Sequence, residues 1–225
     1  NRDKQIETFE PVIDGHVFDT SIAEAIADGS ARDVPLMVGV NENEATVFIP
    51  ALAKRASKRR YRKLVERVFP EFSDQVLQQY PADDYQAPWR AWSAMTTDIA
   101  FVCPARRAAR DHVESGNEAY MYVFSHVRES WKRLDLGAFH GAEIAFVFRD
   151  ARAGWTDQEQ ALGRAMTRWW YQFAADGKPG RAAGVEWPAY DPSVDRALEL
   201  EGGNLGTLEG FRADKCAFWA KHLDL

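Results

Sequence analysis

Two stretches of the chain are apolar almost without interruption. They are Val34-Pro35-Leu36-Met37-Val38-Gly39-Val40-Asn41 and Ala119-Tyr120-Met121-Tyr122-Val123-Phe124. Their length and β-branched and aromatic content predict strands buried inside a parallel sheet. Between and after them the pattern changes to helical spacing. Ser21–Ala27 reads as a short helix, with Thr20 or Ser21 as its cap and Gly29 as its stop. Lys54–Arg67 and Phe72–Tyr80 read as helices, and a longer helical pattern runs from Pro88 to about Glu114, where Pro104 forces a kink or a restart. Gln158–Ala175 is amphipathic and ends at Gly177-Lys178-Pro179-Gly180, a stop signal. Ala197–Leu200 reads as a short strand, Ala213–Leu223 as a last helix, and the turn-broken Pro11–Phe18 as extended chain. Strands that alternate with helices predict an α/β fold with a parallel sheet. There is no internal repeat, low-complexity tract or interior linker.

Composition narrows the functional classes. The chain has 225 residues, 46% of them hydrophobic, with eight Trp and thirteen Phe to bury, enough for one large domain or part of a larger one. A net charge of −6 gives no support for nucleic-acid binding. No apolar stretch approaches the length of a transmembrane segment. Asn1–Gln5 is polar, unlike a signal peptide, and reads as a linker or as the middle of something longer. The two cysteines, Cys103 and Cys216, lack C-x-x-C spacing, so composition favours free thiols over a zinc or redox motif.

One histidine is placed for chemistry. His140 lies in Leu136-Gly137-Ala138-Phe139-His140-Gly141-Ala142-Glu143-Ile144, between small residues and before an apolar run. A general base needs an acid to orient it and a nucleophile to activate. In α/β sheets functional residues gather past the carboxyl ends of the strands, and both Glu44 and His140 follow a predicted buried strand. Glu42, two residues earlier, competes with Glu44 as the acid.

Several segments, taken in order, resemble the type B carboxylesterases, the cholinesterase-like branch of the α/β-hydrolases. Phe9-Glu10-Pro11-Val12-Ile13-Asp14-Gly15 is similar to the family's "PV-DG" segment, and Val34–Glu44 to the stretch "vPllvGvn-dEg". Phe139-His140-Gly141-Ala142-Glu143-Ile144 with Phe146-Val147-Phe148 is similar to "HG-E--fvF". Trp169–Ala174 and Trp187-Pro188-Ala189-Tyr190 resemble the tail "W--FA--G-P…WP-Y". The resemblance implies an α/β-hydrolase fold, with Glu44 as triad acid and His140 as triad base. Ala45 departs from the glycine usual in the family. Glu143 matches a family glutamate and either supports the base or serves as a buried ion-pair partner. Val47, Phe48, Trp131 and Phe139 flank the two loops, where they line a substrate pocket or pack the core. His16, His112, His126 and His222 match no catalytic position and read as surface or structural residues.

The α/β-hydrolase chain order is serine, acid, base, so the serine should precede Glu44. No G-x-S-x-G occurs in the chain, neither Ser30 nor Ser115 sits in a strand-to-helix elbow, and no H-G-G-G oxyanion stretch is present. The resemblance therefore implies the C-terminal portion of a single hydrolase domain, inactive alone and partnered by an N-terminal segment of the same protein that carries the nucleophile. It implies a small-molecule ester substrate and neither metal nor organic cofactor. A non-catalytic cholinesterase-like adhesion module is the alternative, and a homodimer is compatible with the helical content.

The resemblance also implies that Cys103 and Cys216 form a family disulfide. Such a bridge closes a loop of over a hundred residues, worth about 4–5 kcal/mol in the chain-entropy model, and indicates a secreted or periplasmic protein. The basic run Lys54–Lys63 has two readings, a solvated helix face or a surface that steers an anionic ester towards the site.

Overall fold

Helix α1 (Ile22–Ala27) begins where Ser21 can cap it. The Ser21 hydroxyl accepts from the Glu24 N–H while the Glu24 carboxylate accepts from the Ser21 N–H, which satisfies two orphan donors at once. The structure, a computed structural model, describes residues 11–149 and 154–223. Asn1–Gln5 and the Phe9-Glu10 part of the first family-like motif lie outside the described residues. Within the turn-broken segment, residues 14–17 form bends, because Asp14 accepts from the His16 N–H and the Gly15 N–H turns back to the Phe18 carbonyl.

Strand β1 (Leu36–Asn41) runs into a 3-10 turn over Glu44–Phe48. Helix α2 (Lys58–Val68) starts later than the basic run suggested, because Ser57 supplies its cap and residues 53–55 form a separate 3-10 turn. Helices α3 (Ser73–Gln79), α4 (Pro88–Thr97) and α5 (Cys103–Glu114) follow, then strand β2 (Ala119–Phe124). Next come the short α6 (Ile144–Val147) and the long α7 (Asp157–Asp176), which ends on Gly177 in the left-handed conformation. A two-residue hairpin, β3 (Arg181–Ala182) with β4 (Val185–Glu186), precedes β5 (Arg196–Leu200), β6 (Gly206–Glu209) and α8 (Ala213–His222).

The main sheet has the order β1-β2-β5-β6. β1, β2 and β5 are parallel, and β6 closes the described sheet antiparallel to β5. Helices cover both faces, so the strands must be apolar on both. Ala119, Met121 and Val123 of β2 enter one core with Tyr61, Val65, Tyr80, Met95 and Trp219. Tyr120 and Phe124 enter the other with Phe146, Met166, Trp169 and Trp187. At Gly39 a Cβ would stand 2.2 Å from the Tyr122 ring on the neighbouring strand, so the Tyr122 ring fits only over a glycine.

Pro104 acts through a local change of helix type. Residues Asp98–Val102 form a single π-turn between α4 and α5, and the Cys103 N–H bonds to the Asp98 carbonyl, five residues back. The extra residue relieves the clash and the lost hydrogen bond that a proline imposes on a continuous α-helix. The turn also delivers Asp98 to the core. Asp98 is fully buried, accepts from the Tyr80 hydroxyl at 2.8 Å and lies 3.7 Å from the Arg212 guanidinium. Tyr80 in turn accepts from the Trp219 indole at 2.8 Å. The chain thereby ties α3, the π-turn and α8 together through polar groups that would be costly to bury unpaired.

Cys103 and Cys216 form a disulfide with their Cα atoms 5.2 Å apart, joining α5 to α8 across 113 residues of sequence. Reduction, or the double change Cys103→Ser/Cys216→Ser, should lower stability by about 2–5 kcal/mol. Urea unfolding with and without reductant measures this, and titration of the denatured, unreduced protein with a thiol reagent should find no free thiol.

Burial pushes the Asp98 carboxyl above its usual range, against the opposing pull of Arg212, Tyr80 and Lys215. A carboxyl raised on folding contributes stability that is whole below its unfolded value and is lost as pH climbs through the raised one. Asp98→Asn removes that loss. The melting temperature of Asp98→Asn minus that of the unsubstituted protein should therefore rise as pH increases from about 4. A difference that stays flat or falls with pH would contradict the assignment.

Candidate functional site

β1 and β2 end side by side, with Asn41 paired in register to Phe124, and the two loops of interest leave from this edge. Asn41 is 1% exposed and organises the first of them. Its N–H donates to Glu44 Oε1 at 2.7 Å, while its side-chain amide donates to the Phe139 carbonyl at 2.8 Å and to Glu143 Oε2 at 2.5 Å. Further bonds stitch the loops together. The Asn43 N–H donates to the Ala138 carbonyl, the Asn43 side chain accepts from the Ala138 N–H, and Thr46 Oγ1 donates to the Leu136 carbonyl. Gly137 makes this approach geometrically available. It has φ +67°, and a Cβ there would lie 2.0 Å from Asn43 Oδ1, so a side chain would be strained and would break the stitch.

The stitched loops bring Glu44 and His140 together. His140 Nδ1 lies 2.7 Å from Glu44 Oε2. A carboxylate partner assigns the proton to Nδ1, leaving Nε2 as the basic nitrogen of the neutral ring. The Glu44 side chain is only 7% exposed and that of His140 is 51% exposed, so the acid is held inside while the ring projects outwards. Nε2 has no partner among the described residues. Burial raises the Glu44 pKa; the Asn41 N–H and His140 oppose that rise. The Ala45 methyl is accommodated without displacing the carboxylate. Ala45 is fully buried, and its N–H donates to Thr97 Oγ1 of α4 at 3.0 Å.

Glu42 does not share this geometry. It lies one residue beyond β1, its carboxyl is raised by burial and lowered by the charge of Arg212, and its N–H bonds to the Phe124 carbonyl. Glu143 binds the Asn41 amide rather than a cation, and its charge, with that of Glu44, adds to the burial that raises the Tyr122 hydroxyl.

The four flanking residues divide. Phe48 packs against the His140 ring, with centroids 5.4 Å apart, and is 55% exposed. Val47 beside it is 39% exposed. Trp131 and Phe139 instead pair with each other at 4.9 Å and pack against the second core. The sequence reasoning missed Phe101, whose ring lies 5.3 Å from that of His140 and parallel to Phe48. It also missed Asn41 and Thr97. Phe101 stands in the π-turn, two residues before Cys103, and helical periodicity gives no sign of it.

The other histidines have structural partners or lie at the surface. His112 is buried against the Val34 carbonyl, and His126 accepts from the Gly202 N–H beside Glu159. His222 bridges the Phe218 carbonyl and Gln75, and His16 is exposed. Among the described residues no group of His, Cys, Asp and Glu is arranged to hold a metal, and no helix is long and apolar enough to cross a membrane.

Comparison with known proteins identifies the family. The chain is 29% identical over 234 residues to an acetylcholinesterase of Bungarus fasciatus, a match covering 94% of this chain and 38% of that protein. It is 30% identical over 244 residues to a cocaine esterase of Homo sapiens, covering 98% of this chain and 43% of that one. The chain thus spans about two fifths of the length of these relatives. The model of the Carboxylesterase family matches residues 1–219, and with that match the chain belongs to the carboxylesterase family.

Proposed function

We propose that this chain provides the acid and the base of a serine-dependent carboxylic ester hydrolase. The observation that carries the reading is the 2.7 Å contact between Nδ1 of the half-exposed His140 ring and buried Glu44, which leaves Nε2 free of any partner among the described residues. In this reading Nε2 takes the proton of a serine hydroxyl as its oxygen attacks the ester carbonyl, then returns it to the departing alcohol. Glu44 keeps the tautomer and stabilises the imidazolium that forms. A water activated by the same nitrogen then releases the acid from the acyl-enzyme.

The serine and the oxyanion donors belong, in this proposal, to an N-terminal segment of the same protein with a G-x-S-x-G elbow. This chain then forms the C-terminal portion of one α/β-hydrolase domain. Two observations support that division. The chain contains no such elbow. β1 also has a strand on one side only among the described residues, which leaves a row of backbone donors and acceptors for another strand. The disulfide favours an oxidising compartment, secreted or periplasmic. The substrates in this proposal are small-molecule esters that reach His140 past Phe48 and Val47.

In the whole protein, His140→Ala should lower kcat by about 10⁴-fold or more and abolish labelling by a fluorophosphonate; Glu44→Gln should cost about 10⁴-fold. Undiminished labelling of His140→Ala would remove the base assignment. The 225-residue chain alone should show no turnover above the buffer rate, and turnover by it would refute the division of the triad.

Glu143 is assigned a positioning role through Asn41. Glu143→Gln, which still accepts from the Asn41 amide, should keep near-native stability. Glu143→Leu strands that buried donor and should cost about 1–3 kcal/mol in urea unfolding. Equal effects of the two changes would show that the hydrogen bond is not what Glu143 supplies.

A further inference from the structure

A groove of about 470 Å³ lies between α2 and α4 and is lined in part by Phe48, whose ring also packs against His140. Phe48, Leu64, Trp89 and Trp92 are among its apolar lining residues, and Arg60, Lys63 and Arg67 line it as well. The volume lies within the range of small-molecule sites. The cations are not scattered. Positions 60, 63, 64 and 67 follow the i, i+3, i+4, i+7 spacing of one helix stripe, so three positive groups and Leu64 line the groove over about 10 Å of helix. No acidic side chain lines it. Lys58, on another face of α2, is paired with Asp83, and Arg90 of α4 with Asp135. Arg60, Lys63 and Arg67 have no carboxylate partner among the described residues. Lys54 adds a further positive charge 4.8 Å over the Trp89 ring. This uncompensated positive stripe stands out on a chain whose net charge is −6.

We infer that the groove is a subsite for an ester bearing a carboxylate at the end remote from the scissile bond, with an apolar spacer between the two. The inference rests on the ester-hydrolase reading above. Phe48 supplies the continuity, because one ring touches both His140 and the groove. An ester carbonyl beside His140 sends its tail past Phe48 onto the aromatic surface, where the carboxylate meets Arg60, Lys63 and Arg67. The aromatic floor favours the spacer by burying it. The cations discriminate for the anion, and because they are exposed their contribution weakens as salt is raised. An anionic membrane would also be drawn to positive charge, but the aromatic surface here lines a recess and shares a wall with His140, which suits a small molecule.

The test uses the whole esterase containing this chain and two chromogenic esters, p-nitrophenyl heptanoate and the mono-p-nitrophenyl ester of suberic acid. The triple variant Arg60→Gln/Lys63→Gln/Arg67→Gln should lower the ratio of kcat/KM, suberate ester over heptanoate ester, by about tenfold. The loss should appear in KM and shrink at high salt. Lys63→Glu alone should shift the ratio in the same direction. An unchanged ratio, or equal losses on both esters, overturns the inference, as does loss of binding to anionic vesicles with the ratio untouched. If neither ester is hydrolysed by the unsubstituted protein, the ester-hydrolase reading itself has failed. Calorimetric titration with free suberate still reads the groove in that case: binding weakened about tenfold in the triple variant supports the subsite, and no binding to the unsubstituted protein overturns it.

Discussion

Asn41 is the joint on which the arrangement at the sheet edge depends. A strand end and a loop almost a hundred residues later must be held within hydrogen-bond distance for Glu44 and His140 to meet. One buried amide does much of this, since its backbone donates to Glu44 and its side chain to the Phe139 carbonyl and to Glu143. Each bond is worth little net, about 1 kcal/mol, but leaving its partner unpaired in a buried setting costs more. The constraint therefore works mainly by excluding alternatives. A shift of the His140 loop would strand the Asn41 amide, the Phe139 carbonyl and the Ala138 N–H together.

A second constraint reaches the same ring from the helical side. Pro104 demands a π-turn, the π-turn places Phe101 against His140, and the disulfide fixes the start of α5 to α8. Phe48 arrives on the ring from the 3-10 turn that follows Glu44. The imidazole is thus bounded by two aromatic rings and hydrogen-bonded at Nδ1. Its freedom to leave the orientation in which Nδ1 meets Glu44 is limited by packing as well as by the carboxylate. The buried Asp98 in the same π-turn, bound by Tyr80 and facing Arg212, shows that this turn is anchored on its core side as firmly as on its site side.

The elements with strong periodicity were legible in the sequence. β1 and β2 carry continuous apolar runs and α7 an amphipathic stripe closed by a glycine stop, and these signals are local. β6 and the β3–β4 hairpin were not expected, because Gly206–Glu209 and the two-residue strands are too short to show a period. The π-turn was legible only as a conflict between a helical pattern and Pro104. For the site, motif resemblance brought Glu44, His140 and the cysteine pair forward, and no local pattern could have paired Cys103 with Cys216 across 113 residues. Asn41, Thr97 and Phe101 escaped because they act through tertiary contacts. A polar residue ending an apolar strand looks like the start of a turn, and its side-chain partners lie 98 and 102 residues away. Trp131 and Phe139 were singled out by nearness in sequence, and their rings instead pack against each other and the core.

The charges around the site follow an order that composition conceals. Glu44 sits inside, accepting from the Asn41 N–H, paired with His140 and raised by burial, so its negative charge is directed at the imidazole, while the half-buried Glu143 accepts from the Asn41 side-chain amide. The positive charge lies outside, on the stripe of α2 beyond Phe48. A buried carboxylate stabilises a ring only when that ring becomes positive, so its effect grows during proton transfer and is small before it. An exposed cation acts earlier, on an anionic group still distant from the reacting bond, and is screened by salt. In the proposed ester hydrolysis the two sets of charges would act on different steps. On the proposed function Glu44 would bear on the chemical step and the α2 stripe on which molecule arrives, and Phe48, which packs against His140 and lines the groove, lies between the two.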